Sequence, residues 1–374
     1  MPDAERRRGT HQRRAHAKDA GRAARGASDS PGAPRPARLR RRRTLAMAAP
    51  AALVLLVVAL LLTGGGSNAP RAKAGASGAA GASGASGSPG GRGAAGANAP
   101  ATMSTSTAGG APLAPARFAR GACVAFAPAG PPNHHTVFLD AGHGGIDPGG
   151  RGVTETGKVI YEAGENLTIE LETMNLLRSA GFRVVVSRTA DTSVVRLTPS
   201  DLTSGALSVA GARADIAARD ACANLARATI LVGIYLDAGT SPKDAGSVTA
   251  YDASRPFAAK SLRLATLLQH DVLARMNAHG WQIPDDGVQP DTTLGGVPLT
   301  TVAATYRHLL LLGPADPGWF TTPSEMPGAL IEPLFVSDPF EGSIAVSEAG
   351  HAAIAEGTAE AVEQYFGPSS RRGA

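Results

Sequence analysis

Thr136-Val137-Phe138-Leu139-Asp140-Ala141-Gly142-His143-Gly144-Gly145 runs an apolar segment straight into a loop built of glycine. Val137 to Leu139 reads as a short buried strand, since so brief an apolar run bounded by turn residues leaves no room for a helix. Asp147, Pro148 and Gly149 prolong the turn. A histidine leaving a strand end between glycines is well exposed for coordination.

Working outward, similar runs rich in Val, Ile and Leu recur at Arg183 to Val186, Thr229 to Ile234, Ser247 to Tyr251, Leu309 to Leu312 and Ala329 to Ile331. Between them Glu162 to Ser179, Ala212 to Arg227, Ala258 to Ala278 and Glu348 to Phe366 carry apolar residues at helical spacing. The alternation predicts an α/β domain, a single mostly parallel sheet flanked by helices, with reactive groups beyond the carboxyl ends of the strands.

Two carboxylates stand out against that frame. Glu162 opens the helix that follows the glycine loop, in Glu162-Ala163-Gly164-Glu165-Asn166-Leu167. A first-turn glutamate also favours the helix dipole with no ligand role, so local sequence leaves both readings open. Glu332 ends the apolar strand in Gly328-Ala329-Leu330-Ile331-Glu332-Pro333-Leu334-Phe335, where a carboxylate costs free energy unless it has a partner or a task.

Taken in order, these motifs resemble the zinc-dependent N-acetylmuramoyl-L-alanine amidases that hydrolyse bacterial peptidoglycan. The resemblance spans roughly Thr136 to Phe366. It rests on Asp140 to Gly145, on Glu162 with Asn166 and Leu167, on Arg188-Thr189-Ala190-Asp191, and on Ala329 to Pro339. It implies a zinc ion held by His143 and Glu162, and Glu332 as the general base of amide hydrolysis. In the strand Leu231 to Ala238, Tyr235 stands where the family has its third ligand, a histidine. A phenol with a pKa near 10 is a poor zinc donor until it ionises. Asp237, two residues on, is the candidate for the vacated place, either as a ligand or as an acceptor behind the ligands.

The remaining histidines offer no metal spacing to a second His or Cys. His134 and His135 precede the strand that His143 follows, His270 and His279 belong to a helix, and His308 opens the expected strand at 309–312. Gly280 to Pro327, with Trp281, Tyr306 and Trp319, is too long for a plain turn and suits a cleft wall or lid. Cys123 and Cys222 lack zinc spacing, and the sequence leaves paired and free states open.

The chain of 374 residues carries a net charge of +5, but the charge is divided along it. Residues 1–43 hold 14 Lys and Arg against four Asp and Glu, the composition of a disordered basic cytoplasmic arm. From residue 118 onward 18 Lys and Arg face 27 Asp and Glu, which argues against a nucleic-acid footprint on the folded part. Leu45 to Leu62 is apolar and uncharged behind Arg40 to Arg43, and as a helix it rises about 27 Å, so residues 44–63 are expected to span a membrane as a signal-anchor with the N-terminus inside. Cleavage after it would instead secrete the domain. Residues 64–117, rich in Gly, Ala and Ser, read as a flexible linker, 118–367 as the amidase-like domain and 368–374 as a tail. The expected partners are peptidoglycan and the membrane, and the sequence identifies no activating protein partner. A second function of another class is also open, an amidase-like peptidoglycan-binding or regulatory module that has lost catalysis with its third ligand.

Overall fold

The computed structural model describes residues 104–294 and 306–367. All belong to the compact unit that begins at Gly91. The expected arm 1–43, the span 44–63, the linker up to residue 103 and the tail 368–374 lie outside the described residues. Among the described residues no helix is long and apolar enough to cross a membrane.

The strands are β1 (Ala111–Pro112), β2 (Ala122–Phe126), β3 (Thr136–Ala141), β4 (Arg151–Val153), β5 (Val159–Tyr161), β6 (Arg183–Arg188), β7 (Leu202–Thr203), β8 (Ala206–Leu207), β9 (Ile230–Ile234), β10 (Ser247–Tyr251), β11 (Asp285–Pro290) and β12 (Gly328–Glu332). The helices are α1 (Glu162–Ser179), α2 (Val209–Ala226), α3 (Ala258–Ala278), α4 (Pro339–Ala345) and α5 (Glu348–Phe366). Eight strands form one sheet in the order β1-β2-β6-β3-β9-β12-β10-β11. β6, β3, β9 and β12 are mutually parallel, while β2 pairs antiparallel with β6 and β10 antiparallel with β12.

The central strands are buried on both faces, which explains why they read as continuous apolar runs. Ile230, Val232 and Ile234 of β9 face one cluster with α1, α3 and α5, whereas Leu231 faces a second with Cys222, Ala223 and Ala226 of α2. Ser208 caps α2, its hydroxyl accepting from the Gly211 N–H at 3.0 Å, and Arg227 closes the helix in the left-handed region.

Two expectations need correction. Leu309 to Leu312 is a buried turn, closed by the Leu312 and Gly313 N–H groups on the Leu309 carbonyl, so His308 opens no strand. An apolar run of four satisfies burial equally well as a turn that plugs the second cluster. The linker also ends before residue 117. β1 pairs with β2, and the Asn175 side-chain amide donates to the Ser104 and Ser106 carbonyls.

Candidate active site

β3, β9 and β12 run parallel and side by side, so their carboxyl ends open at one edge of the sheet. β3 delivers the Gly142-His143 loop there, β9 delivers Tyr235 to Asp237, and β12 ends on Glu332. α1 begins at the same place. Tyr161 gives it no side-chain cap, and the Glu162 and Ala163 N–H groups donate instead to the Gly150 and Pro148 carbonyls of the glycine loop. A side chain at Gly149 would strike the His143 ring, and one at Gly150 would meet Glu162 Oε1 at 2.1 Å, so the two glycines let loop and helix close on each other.

His143 sits in the left-handed region at φ 62°. Two buried arginines hold that strained turn by its carbonyls. Arg219 donates to Ala141 O and His143 O, each at 2.8 Å, and Arg188 donates to Ala141 O and Gly142 O at 3.2 and 3.1 Å. Asn166 joins the loop to β9, its amide donating to Gly142 O at 3.5 Å while its carbonyl accepts from the Leu236 N–H at 2.9 Å. The imidazole is thereby set between two carboxylates, Nδ1 2.9 Å from Asp147 and Nε2 2.9 Å from Glu162. Burial alone would lower its pKa, but the contacts to Asp147 and Glu162 outweigh that and raise it to about 9.

Glu332 is buried, and its Oε1 has no hydrogen-bond partner among the described residues. Burial first, then Asp237 and Glu162, push its carboxyl well above the usual range, and His143 is the cationic group that opposes them. Asp237 is raised to about 6 by burial, against the Ala238 N–H that it accepts, with Glu162 and Asp244 adding to the rise. Its backbone is knit to the segment after β12, the Val336 N–H donating to Asp237 O at 2.7 Å.

The Tyr235 ring packs edge-on to the His143 imidazole, centroids 5.7 Å apart, but its hydroxyl is engaged by a different carboxylate. Its hydroxyl donates to Asp140 Oδ2 at 2.7 Å, and Asp140 Oδ1 accepts from Arg219 at 2.8 Å. β9 ends at Ile234, and the chain beyond it stays alongside the β12 segment, Asp237 forming a parallel bridge with Phe335. Burial, then the neighbouring Asp140, pushes the phenol well above its ordinary pKa, which keeps it a neutral donor.

The structure therefore unites His143 with Glu162 and places Glu332 and Asp237 within electrostatic reach of them. The pair suits a cation. Ligand bonds of about 2.0 Å in a tetrahedron put donors about 3.3 Å apart, close to the 2.9 Å between Nε2 and Oε2, and the carboxylates gathered there outnumber the single imidazole that faces them. Asp237 does not close a three-donor set with them. Among the described residues such a set, with donor atoms all within 4.8 Å of one another, occurs at Asp252, Asp291 and His308. Arg188, Asn166 and Asp147 stand in the motifs quoted from the sequence but their positioning roles emerge only here, and Arg219 was missed altogether. The available signal was Asp140, a carboxylate at a buried strand end that demands a buried cation.

A family profile described as N-acetylmuramoyl-L-alanine amidase matches residues 137–364. A curated relative, N-acetylmuramoyl-L-alanine amidase AmiC of Neisseria meningitidis serogroup B, is 25% identical over 248 residues, 62% of this chain and 53% of that protein. The chain thus spans about half the length of that relative. Among solved structures, the CwlD amidase of Clostridioides difficile in complex with the GerS lipoprotein aligns with 22% identity and a TM-score of 0.47, covering 62% of this chain and 98% of that one. An N-acetylmuramoyl-L-alanine amidase from Clostridium difficile 630 aligns with 26% identity and a TM-score of 0.43, covering 63% and 97%. The profile match takes in more than half of the 374 residues and includes the loop, the helix start and the strand end that carry His143, Glu162 and Glu332, and on that span the chain belongs to the N-acetylmuramoyl-L-alanine amidase family.

Proposed function

We propose that this chain hydrolyses the amide between the lactyl group of muramic acid and L-alanine in peptidoglycan, with zinc at His143 and Glu162. The observation that carries the reading is the convergence of an imidazole and a carboxylate at 2.9 Å beside a buried, unpartnered Glu332, at the joint carboxyl edge of three parallel strands. When bound, zinc supplies an electrophile for the amide carbonyl and lowers the pKa of its water towards about 7.

The chain's own residues do the rest. His143, held neutral once its proton is displaced, and Glu162 fix the cation. Asp147 accepts from Nδ1 and keeps Nε2 free to ligate. Glu332 takes a proton from the attacking water as the carbon–oxygen bond forms, then returns it to the alanine nitrogen as the carbon–nitrogen bond breaks. Asp237 serves this site as a ligand drawn in by the cation or as an acceptor behind the ligands. Its support is the electrostatic reach between Asp237, Glu162 and Glu332, and an Asp237→Ala variant that keeps all its zinc would end its role as ligand.

Tyr235 favours a second reading. With the phenol committed to Asp140, β9 supplies no imidazole, and the domain would bind peptidoglycan without cutting it. Incubating the detergent-solubilised chain with sacculi, with zinc or chelator, decides between them. Zinc-dependent appearance of free L-alanine amino termini by mass spectrometry, abolished in Glu332→Ala, is the amidase outcome. Sacculus binding without release at any zinc level is the other.

The same proposal places the domain outside the cytoplasmic membrane, on a single span at Leu45 to Leu62. The Cys123–Cys222 disulfide supports an oxidising compartment. Protease treatment of intact spheroplasts should degrade the domain; a protected domain would refute the topology.

A further inference from the structure

Asp252, Asp291 and His308 gather far from the amidase site. β10 runs antiparallel to β12, so Asp252, just past its carboxyl end, lies beside the amino end of β12, whereas Glu332 closes the other end about 13 Å away at about 3.3 Å per residue. β11 is parallel to β10 and brings Asp291 to the same edge. His308 arrives from the segment that leads into the buried turn at 309–312.

Each aspartate is anchored through one oxygen, and its other oxygen accepts no hydrogen bond among the described residues. Asp252 Oδ1 accepts from the Ser254 N–H and hydroxyl at 2.6 Å, and its Oδ2 makes no aligned hydrogen bond. Asp291 Oδ2 accepts from the Leu309 N–H at 2.9 Å, and its Oδ1 is unpartnered. The two residues are only 2% and 7% exposed. His308 Nδ1 stands 2.9 Å from Asp252 Oδ2 and 3.2 Å from Asp291 Oδ2, again near the ~3.3 Å spacing of tetrahedral ligands.

We propose that Asp252, Asp291 and His308 form a second, structural site for a divalent transition-metal ion, with zinc the first candidate. An imidazole with two carboxylates suits zinc better than calcium or magnesium, which prefer all-oxygen shells. The ion neutralises two buried carboxylates that one imidazole leaves partly uncompensated. It also cross-links Asp291 at the end of β11 to His308.

Zinc stoichiometry tests this in the full chain. His143→Ala with Glu162→Ala removes the amidase site and should leave one tight equivalent. A hundredfold excess over its Kd should raise Tm by about 5 °C or more. Adding Asp252→Asn or, separately, His308→Gln should abolish both the equivalent and the Tm rise. A zinc-edge anomalous peak between the three side chains of the wild-type protein is the independent check on folding artefacts. No residual zinc in the first variant, an equivalent indifferent to Asp252 and His308, or no peak there would each overturn the proposal and leave His308 as a side chain bridging two aspartates. None of these outcomes bears on amide hydrolysis, so this site and the proposed activity stand or fall separately.

Discussion

Tyr235 closes a chain of buried groups, Tyr235 to Asp140 to Arg219 to Asp215, directly behind the His143 loop. Its role there is to satisfy an oxygen of Asp140, and removing the hydroxyl leaves that oxygen buried without its donor. Tyr235→Phe should therefore lower stability by about 1 to 3 kcal/mol, read as a shift in denaturant midpoint, while zinc content stays at the wild-type level. Loss of zinc with unchanged stability would make the phenol a ligand after all. His143 and Glu332 stood out because strand ends and a glycine loop announce where side chains are presented, whereas Glu162 needed the family resemblance to be separated from an ordinary first-turn acid. Arg219 was not legible, since an arginine on a helix with alternating apolar positions reads as a solvated side chain until its buried partner Asp140 is in view. The cluster at Asp252, Asp291 and His308 was equally hidden, its members joined by topology and separated by long stretches of chain. Spacing rules find ligands on one element, and here each comes from a different one.

At the scale of elements, α1 and α5 are tied near their starts by His351 Nε2 and Glu165 Oε2 at 2.9 Å, in a partly buried contact. Burial lowers the His351 pKa, but Glu165 outweighs it and the net shift is upward. A histidine whose folded pKa exceeds its unfolded value stabilises fully below about 6.5 and loses that contribution as pH rises through the folded value. The difference in unfolding free energy between wild type and His351→Asn should thus be about 1 kcal/mol at pH 5.5 and shrink towards pH 9. A difference that does not vary with pH would show that the pair is not ionic. α1, α3 and α5 and the parallel strands were readable because burial imposes a regular pattern on them. β1 and β11 were not. Ala111–Pro112 is too short for any period, and Asp285–Pro290 carries two acids, a glycine and a proline that read as turn. Each is an edge strand recruited by its neighbour's unpaired backbone, a tertiary effect that local sequence does not record.

For the whole molecule, the disulfide between Cys123 and Cys222 joins β2, next to the edge strand, to α2 across a sequence separation of 99 residues. Both sulfurs lie inside the second apolar cluster, where neither competes for water. Chain-entropy arguments assign a cross-link of this length up to about 4 to 5 kcal/mol, exerted mainly on the unfolded chain. That is a large share of the roughly 5 to 15 kcal/mol that holds a typical domain folded. On the proposed topology the domain folds after export, in a compartment where this bond can form. The Cys123→Ser, Cys222→Ser double variant should accordingly show a urea midpoint well below wild type, and dithiothreitol should lower the wild-type midpoint to the same value without moving the variant. If the reductant leaves the wild-type midpoint in place while mass spectrometry shows both thiols free, the bond carries no stability. Folding would then not depend on an oxidising compartment.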